Sequence, residues 1–319
     1  MYILGFDIGG TKCAVMTAEV SGENINLLKK DKCATNLKIS PEEMIDKLIT
    51  MADGIITQKP VCIGISCGGP LSSEKGVILG PPNLPGWDNV EIVKQINAHY
   101  GVPVYLQNDA NACAVAEWKF GAGKGSKNMV FMTFGTGLGA GLIIDGKLYS
   151  GTNDNAGELG HIRLAPTGPV GFGKAGSFEG FCSGGGLAQL GYTMALKSME
   201  QGVCPSYFKE GMSACDVTAK TIADAAYQGD ETAINVYKTC GEYLGRGLSI
   251  VIDLLNPEVV VIGSIFARSG DLLWDSAKSV IEREALTVSA DCCRVVPAAL
   301  GEQIGDYAAI AVALANIKE

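Results

Sequence analysis

Two glycine-rich turns carry the residues best suited to hold a phosphate group. The stretch "DIGGTK" at 7–12 lies between two apolar strand patterns. Its glycines allow positive φ angles and close backbone approach, so N–H groups can meet a phosphate, while Thr11 and Lys12 add a hydroxyl and a positive charge. Asp7 can hold Mg²⁺ through a water molecule. The stretch "FGTGLGAG" at 134–141 repeats this strand–turn–strand pattern, which favours phosphate binding in a duplicated fold over two ordinary hairpin turns.

A candidate general base lies in the stretch "QNDANACAVAEW" at 107–118. The pattern predicts that a strand ends here and that a helix begins directly afterwards, and α/β sheets place ligand contacts at that end of their strands. Asp109 can therefore accept the proton of a substrate hydroxyl, a role for which a carboxylate with about its ordinary pKa is adequate. The structural alternative is that Asp109 only caps the helix.

Two further segments contain polar residues suited to a polyhydroxy ligand. In "PPNLPGWD" at 81–88, Asn83 can present an amide from a rigid loop, and a proline-rich surface turn explains the same pattern. His161 follows Glu158 by three positions and precedes Glu179 by eighteen. A histidine flanked by carboxylates suits a metal ligand, a catalytic base, a substrate contact or a buried structural group, and the pattern leaves these alternatives open.

Composition narrows the class of protein. The 319-residue chain is 47% hydrophobic and 18% charged, with a formal net charge of -9, which allows two domains and argues against nucleic acid as a partner. The eleven cysteines are scattered without a C-x-x-C pair, which predicts reduced thiols and a cytoplasmic protein. The chain shows neither a signal-peptide pattern nor an apolar run of about 18 residues, so we expect no membrane partner.

The apolar pattern alternates between strands and helices, which predicts an α/β fold with a parallel component. For the first helix, Ser40 is the expected N-cap and Pro41 the first helical residue. The residue composition changes near residue 121, where a glycine-rich loop precedes the second strand–turn–strand pattern. The last segment of the chain has a helical pattern.

Together these motifs resemble the ROK family (repressor, open reading frame, kinase) of bacterial sugar kinases and sugar-responsive regulators. The resemblance covers essentially the whole chain. It is carried by "DIGGTK", "NDANA" at 108–112, "FGTGLGAG", "GELGHI" at 157–162, and the E-x-x-x-S-G of Glu179, Ser183 and Gly184, in this order and spacing.

The resemblance implies an ATP-dependent hexokinase of the actin-like ATPase fold. This is a duplicated ribonuclease H-like fold with two α/β domains around a cleft. The expected small domain is 1–118, completed by a C-terminal helix at 302–319, and the expected larger domain is 119–301. The resemblance also suggests a homodimer or a dimer of dimers.

Roles for the motif residues follow from the same resemblance. Asp109 is the expected base on the sugar 6-hydroxyl, and Asp7 is the expected Mg²⁺ residue. The other expected sugar contacts are Gly69, Asn83, Asn108, Glu158, His161 and Glu179, and the expected nucleotide contacts are Asp7, Gly9, Gly10, Thr11, Lys12, Thr136, Gly137 and Gly263. The family's adenosine site usually has Gly-Gly after a late strand, whereas Ser264 follows Gly263 in this chain.

The zinc-binding pattern of the family is altered. The family usually binds structural zinc with one histidine and three cysteines, and here Val170, Phe172 and Ser177 occupy the cysteine positions. Because zinc requires about four ligands, we expect no structural zinc. We expect His161 to be a sugar contact, with Val170 and Phe172 packing apolar surface where the metal would order the loop.

The leading interpretation is an ATP:hexose 6-phosphotransferase that acts on glucose, because "NLPGWDNV" resembles the loop of the family's glucokinases. A kinase for N-acetylglucosamine, N-acetylmannosamine, fructose or allose is the alternative within the family. A non-catalytic sugar-sensing protein on the same fold is the alternative from another class. A DNA-binding role is not expected, because "YILGFDIGGTK" begins at residue 2 and leaves no room for a preceding helix-turn-helix.

Overall fold

The computed structural model describes residues 1–22 and 24–317. The strands are β1 (Tyr2–Ile8), β2 (Lys12–Ser21), β3 (Asn24–Ala34), β4 (Cys62–Cys67), β5 (Leu71–Ser72), β6 (Val77–Leu79), β7 (Asp88–Val90), β8 (Val104–Asn108), β9 (Met129–Phe134), β10 (Leu138–Ile144), β11 (Lys147–Tyr149), β12 (Val170–Gly171), β13 (Lys174–Ala175), β14 (Val259–Ile262) and β15 (Arg294–Pro297). The α-helices are α1 (Pro41–Ile55), α2 (Ile92–Tyr100), α3 (Asp109–Phe120), α4 (Phe178–Phe181), α5 (Gly184–Glu200), α6 (Ala219–Tyr227), α7 (Glu231–Leu255), α8 (Ile265–Ser269), α9 (Asp271–Glu284), α10 (Thr287–Ala290) and α11 (Ile304–Asn316). Short 3₁₀ helices lie at Leu159–His161, Ala214–Asp216 and Gly301–Gln303.

One sheet has the strand order β3-β2-β1-β4-β8. Strand β1 runs antiparallel to β2 and parallel to β4, and β4 runs parallel to β8. Strands β1 and β4 are apolar and buried along almost their whole length, as expected for strands covered on both faces. The edge strand β3 is more polar and alternates between exposed and half-buried residues.

Helices cover both faces of this sheet because alternate residues of a strand point to opposite sides. On one face, α1 packs Met44 and Leu48 into the same hydrophobic cluster as Phe6 of β1. On the other face, α11 packs Ile310 into the cluster that contains Met16 of β2. The C-terminal helix is therefore part of the core of the N-terminal sheet.

The start of α1 confirms the predicted capping. The Ser40 side chain accepts a hydrogen bond from the Glu43 N–H, the Glu43 carboxylate accepts one from the Ser40 N–H, and Pro41 is the first helical residue. This reciprocal capping box satisfies two backbone donors that have no partner inside the helix.

A second sheet has the strand order β11-β10-β9-β14-β15. Strand β14 runs parallel to both β9 and β15, and β10 runs antiparallel to β11. The first sheet has the same order, with a strand–turn–strand segment followed by two parallel strands. This repeat is the duplicated ribonuclease H-like arrangement of the actin-like ATPase fold, so the predicted fold class is confirmed.

Contacts along the chain define two compact units. Unit 1 comprises Met1–Lys127, Gly141–Ala156 and Ala299–Glu319, and unit 2 comprises Asn128–Ala140 and Gly157–Ala298. The domain limits inferred from the sequence, at residues 118 and 301, stay a prediction. Among the described residues, no helix is both long and apolar enough to cross a membrane.

Candidate functional site

The carboxyl ends of three parallel strands meet at one edge of unit 1. Ile8 of β1 pairs with Cys67 of β4, and Cys67 pairs with Asn108 of β8, so the three strands end in register. A methyl group added to Gly69 would lie 3.0 Å from the Asn108 Nδ2 atom. Asp109 follows Asn108 as the first residue of α3. The predicted contacts Gly69, Asn108 and Asp109 are therefore brought together, at the sheet edge where α/β proteins bind ligands.

Asn108, not Asp109, is the N-cap of α3. The Asn108 Oδ1 atom accepts hydrogen bonds from the Ala110 N–H at 2.9 Å and the Asn111 N–H at 3.4 Å. The Asp109 Oδ1 atom also accepts from the Ala110 N–H, at 2.8 Å. The interpretation of Asp109 as only a helix cap is therefore wrong, because the preceding asparagine performs that role.

Burial raises the pKa of the Asp109 carboxyl above its usual range, and hydrogen bonds from the backbone at the start of α3 oppose the rise. Part of the side chain remains accessible, but protein surrounds the rest and removes hydration that would favour the charged form. The resulting carboxylate is a stronger base than an aspartate with an ordinary pKa.

Asp7 lies in the same environment. Burial, together with the negative charges of Asp109 and Asp306, raises the pKa of Asp7 to about 7, although the positive charges of Lys12 and Lys30 oppose the rise. The effect of Asp109 on Asp7 shows that the two predicted functional carboxyls interact. A cation or a bound proton at this edge of the sheet would relieve their repulsion.

The turn at 9–12 is anchored by Thr35, the residue that follows strand β3. The Gly9 N–H donates to the Lys12 carbonyl at 3.1 Å, and the Gly9 carbonyl accepts from the Thr35 hydroxyl at 2.6 Å. The Thr35 N–H donates to the Thr11 carbonyl at 3.0 Å. Thr11 and Lys12 are exposed, so their side chains are available to a ligand while the backbone is held in place.

Asn83 lies against this turn. A methyl group added to Gly10 would collide with the Asn83 carbonyl oxygen and lie 2.7 Å from its Cβ atom. Leu84 and Trp87 anchor the loop, with side chains only 1% and 2% exposed, while Asn83 itself is exposed. The loop is thus held by buried apolar residues and presents the asparagine beside the predicted phosphate turn.

The chemistry of unit 1 fits a bound Mg²⁺ ion. Magnesium in nucleotide sites usually retains several waters and takes one or two carboxylates together with phosphate oxygens. Asp7 is a half-buried carboxylate next to a second one, Asp109, and both are oxygen donors. Among the described residues, no group of three or more His, Cys, Asp or Glu side chains forms an all-protein metal site. Asp7 therefore suits a shared, largely hydrated ion.

In unit 2, the turn between β9 and β10 holds Thr136 and Gly137. The Gly135 N–H donates to the Gly137 carbonyl at 3.1 Å, and the Gly135 carbonyl accepts from the Gly184 N–H at 2.7 Å. Gly184 is the first residue of α5, and Thr136 is exposed at the tip of the turn. The "FGTGLGAG" stretch continues into strand β10, as its sequence predicted.

Glu179 directly contacts the residues that follow this turn. Its Oε2 atom accepts the Leu138 N–H at 3.0 Å, and a methyl group added to Gly137 would lie 2.8 Å from the same oxygen. The structure therefore brings a predicted sugar contact, Glu179, next to a predicted nucleotide contact, Gly137.

Glu158 and His161 lie at the two ends of a single 3₁₀ turn. The His161 N–H donates to the Glu158 carbonyl at 3.1 Å, and the intervening Leu159 and Gly160 are buried. A methyl group added to Gly160 would collide with the Leu138 carbonyl and lie 3.3 Å from the Glu179 Cβ atom. His161 is exposed, so the alternative of a buried structural histidine is wrong.

The segment that lacks the family's cysteines is folded by other contacts. Ser177 is fully buried and caps α4, because its hydroxyl accepts the Gly180 N–H at 3.0 Å. The Lys174 Nζ atom donates to the His161 carbonyl at 2.6 Å. Val170 and Phe172 are 47% and 71% exposed, so the expectation that they pack apolar surface in place of a metal is wrong.

Phe172 nevertheless contacts the predicted site. Its ring meets the His161 imidazole edge-on, with centroids 5.7 Å apart. Phe172 and Gly173 both have positive φ, as in the tight turns that join two antiparallel strands, so the hairpin of β12 and β13 holds the phenyl ring at its tip. The expected absence of structural zinc stays a prediction.

Sequence reasoning missed one group beside Asp7. Asp306 of α11 is 7% exposed, and its Oδ2 atom accepts a hydrogen bond from the Lys30 Nζ atom of β3 at 2.7 Å. The available signal was a single acidic residue inside the apolar helical pattern "IGDYAAIAVALAN". A methyl group added to Gly305 would lie 3.0 Å from the Asp7 Oδ2 atom, so α11 closes over that carboxyl.

The last of the predicted nucleotide residues, Gly263, follows β14. Its N–H donates to the Met132 carbonyl of β9 at 2.9 Å. The predicted residues are thus grouped by unit, with Asp7, Gly9, Gly10, Thr11, Lys12, Gly69, Asn83, Asn108 and Asp109 in unit 1 and Thr136, Gly137, Glu158, His161, Glu179 and Gly263 in unit 2.

Comparison with known proteins agrees with this arrangement of motifs. The sequence model of the ROK family matches residues 3–316. A glucokinase from Streptomyces coelicolor is 33% identical over 282 residues, which cover 88% of this chain and 87% of that protein.

Solved structures of ROK family proteins have a similar fold. A ROK family glucokinase from Streptomyces griseus, in complex with glucose and AMPPNP, has a TM-score of 0.77 and 29% identity, covering 98% of this chain and 99% of its own. A ROK family transcriptional regulator, described as a homolog of the E. coli MLC protein, has a TM-score of 0.84 and 26% identity, covering 98% of this chain and 78% of its own.

Proposed function

This chain belongs to the ROK family, and we propose that it is an ATP-dependent hexose kinase that phosphorylates the 6-hydroxyl of glucose. The observation that carries the proposal is the group formed by Asp109, Asn108 and Gly69 at the carboxyl ends of the parallel strands β1, β4 and β8, next to the glycine turn that follows Asp7. The 33% identity to a glucokinase supports glucose as the substrate.

In the proposed reaction, Asp109 accepts the proton of the sugar 6-hydroxyl. The hydroxyl oxygen forms a bond to the γ-phosphorus of ATP, the bond from that phosphorus to the bridging oxygen breaks, and ADP leaves with the electron pair. Positioned general bases contribute about 10²–10⁴-fold to rates. The raised pKa of Asp109 strengthens the base, and protonation below that pKa removes it.

Phosphoryl transfer depends largely on positioning and on charge stabilisation. Gly9, Gly10, Thr11 and Lys12 are proposed to contact phosphate oxygens with backbone N–H groups, a hydroxyl and an ammonium. Thr136, Gly137 and Gly263 are the proposed nucleotide contacts of unit 2. Mg²⁺, when bound, neutralises phosphate charge, and Asp7 is its proposed protein partner.

Sugar recognition is proposed to use a set of amides and carboxylates. The proposed contacts with sugar hydroxyls are Gly69, Asn83 and Asn108 in unit 1 and Glu158, His161 and Glu179 in unit 2. Such polar contacts can reject sugars that lack a matching hydroxyl, while closely related hexoses differ by only a few hydrogen bonds. Kinases for N-acetylglucosamine, N-acetylmannosamine, fructose or allose are therefore the nearest alternatives.

A coupled ADP-release assay with each of these sugars and with mannose tests the proposal. We expect glucose to give the highest kcat/KM and Asp109→Asn to abolish most of the turnover. A higher kcat/KM for another sugar would change the substrate but keep the kinase.

A different outcome would support a different class of protein. Sugar binding without ADP release would favour a sugar-sensing protein, a role consistent with the similarity to a ROK family transcriptional regulator. We also propose that the protein is cytoplasmic and forms a homodimer or a dimer of dimers. Light scattering of the purified protein tests the oligomeric state.

A further inference from the structure

Ser264 has a backbone conformation that serine rarely adopts. Its φ of 54° and ψ of −109° lie in a region that favours glycine. Strained residues of this kind persist only where the surrounding structure imposes them, and they cluster at ligand sites. Glycine would adopt the same conformation without strain, so the serine side chain requires an explanation.

The flanking residues impose this conformation. On one side, the Gly263 N–H donates to the Met132 carbonyl at 2.9 Å, at the end of β14. On the other side, Ile265 and Phe266 are buried, with side chains 7% and 6% exposed. Ser264 is thus the single residue that joins a fixed strand end to a fixed helix start.

The Ser264 side chain has no evident structural task. It precedes α8 but makes no side-chain capping hydrogen bond to that helix, and it is exposed. A serine that is only structural at the start of a helix usually accepts such a bond. The strain is therefore not offset by a cap.

The hydroxyl lies beside the predicted phosphate turn of unit 2. A methyl group added to Gly135 would lie 3.5 Å from the Ser264 Oγ atom and 3.9 Å from its Cβ atom. Gly135 directly precedes Thr136, which is exposed at the tip of that turn. The Ser264 hydroxyl and the turn therefore share one accessible surface within unit 2.

We propose that Ser264 is an additional phosphate-binding residue, whose hydroxyl donates a hydrogen bond to the polyphosphate held by the Gly135–Gly137 turn. The inference rests on the proposed function, since it assumes a nucleotide at this turn. A hydroxyl that donates to a phosphate oxygen makes a charge-assisted hydrogen bond, which is stronger than a neutral one. This contact explains why a strained serine occupies a position suited to glycine.

Binding measurements by isothermal titration calorimetry on the full chain test the proposal. The ligands are Mg²⁺-ATP, tripolyphosphate and adenosine, and the variants are Ser264→Ala and Ser264→Gly. We expect each variant to bind ATP and tripolyphosphate about tenfold more weakly, with adenosine affinity unchanged. Ser264→Gly should also raise the Tm, because it removes the strain that Ser264→Ala keeps.

A matched control is Asn256→Gly, which relaxes another positive φ, 45°, in unit 2. This variant should leave the affinity for all three ligands unchanged. If Ser264→Ala folds poorly, the more relaxed Ser264→Gly still reports the loss of the hydroxyl.

Three outcomes would overturn the inference. Equal or tighter tripolyphosphate binding by the variants would mean that the hydroxyl is neutral or obstructs the phosphate. An equal loss of adenosine affinity would place the hydroxyl on the nucleoside, and a wild-type chain that binds neither ATP nor tripolyphosphate would have no site to extend. Conversely, tripolyphosphate binding that requires Ser264, without phosphorylation of any sugar, would keep this inference and refute the proposed function.

Discussion

The two strand–turn–strand segments share a topology but differ in chemistry. The turn at 9–12 in unit 1 includes the charged residue Lys12 and follows Asp7, whose pKa is raised by the negative charge of Asp109. The turn at 135–137 in unit 2 is itself uncharged, and it is held by one backbone hydrogen bond from Gly184 of α5 and by the Glu179 carboxylate, which accepts the Leu138 N–H. The two units thus share the same backbone arrangement. The residues around each turn determine whether it presents charged side chains, as in unit 1, or an uncharged backbone turn, as in unit 2.

The largest effect is expected for Asp109 in unit 1, which contains the charged turn. Asp109→Asn should reduce kcat about 10²–10⁴-fold, because the amide cannot accept the proton of the sugar hydroxyl. A coupled ADP-release assay measures the loss, and Asp46→Asn, at an exposed position of α1, is the matched control. Turnover within a factor of two of wild type would disprove the assignment of the base.

Added bulk in the unit 1 turn should have the next largest effect. In Gly10→Ala the new methyl group meets the backbone of Asn83, whose loop is anchored by buried Leu84 and Trp87 and cannot easily move. We expect about a 10²-fold loss of kcat/KM, as for other displacements of about 1 Å in a site. Gly54→Ala in α1 is the control, since no atom lies within 4 Å of the added methyl group.

The third prediction tests the buried charge of Asp7 through stability. Because folding raises the pKa of Asp7 from 3.8 to about 7, ionisation destabilises the folded state as the pH rises through that range. Asp7→Asn should therefore stabilise the protein at pH 8, by about 2 kcal/mol after allowance for partial exposure, and have little effect near pH 4. Thermal unfolding at both pH values measures this difference, and a Tm gain that is the same at both would contradict it.

The smallest effect is expected in the unit 2 turn. In Gly137→Ala the methyl group meets the Glu179 carboxylate, the end of a side chain that can move at the cost of its bond to the Leu138 N–H. We expect the KM for sugar to rise about tenfold, because this is the effect of losing one hydrogen bond to a charged group. Steady-state kinetics check this, and a loss as large as that of Gly10→Ala would remove the contrast between the two turns.

Local patterns were the reliable part of the sequence interpretation. The Ser40 cap, the strand that continues "FGTGLGAG" and the repeated strand–turn–strand arrangement all depend on residues close in the chain. The alternative that Asp109 only caps α3 could not be decided from the sequence, because asparagine and aspartate are both good caps and local propensity does not choose between neighbours; the structure places the cap at Asn108. The packing of Val170 and Phe172 was wrong because a hairpin turn holds Phe172 outward.

The amino-acid sequence by itself determined the glycine turns, the duplicated strand order and membership of the ROK family, because these follow from local geometry and residue spacing. Only the tertiary structure decided that Asn83 meets Gly10 and that Asp306 and Asp109 raise the pKa of Asp7. Burial and charge interactions depend on which strands and helices come together, and residues such as Asp7 and Asp306 lie almost a full chain length apart in sequence.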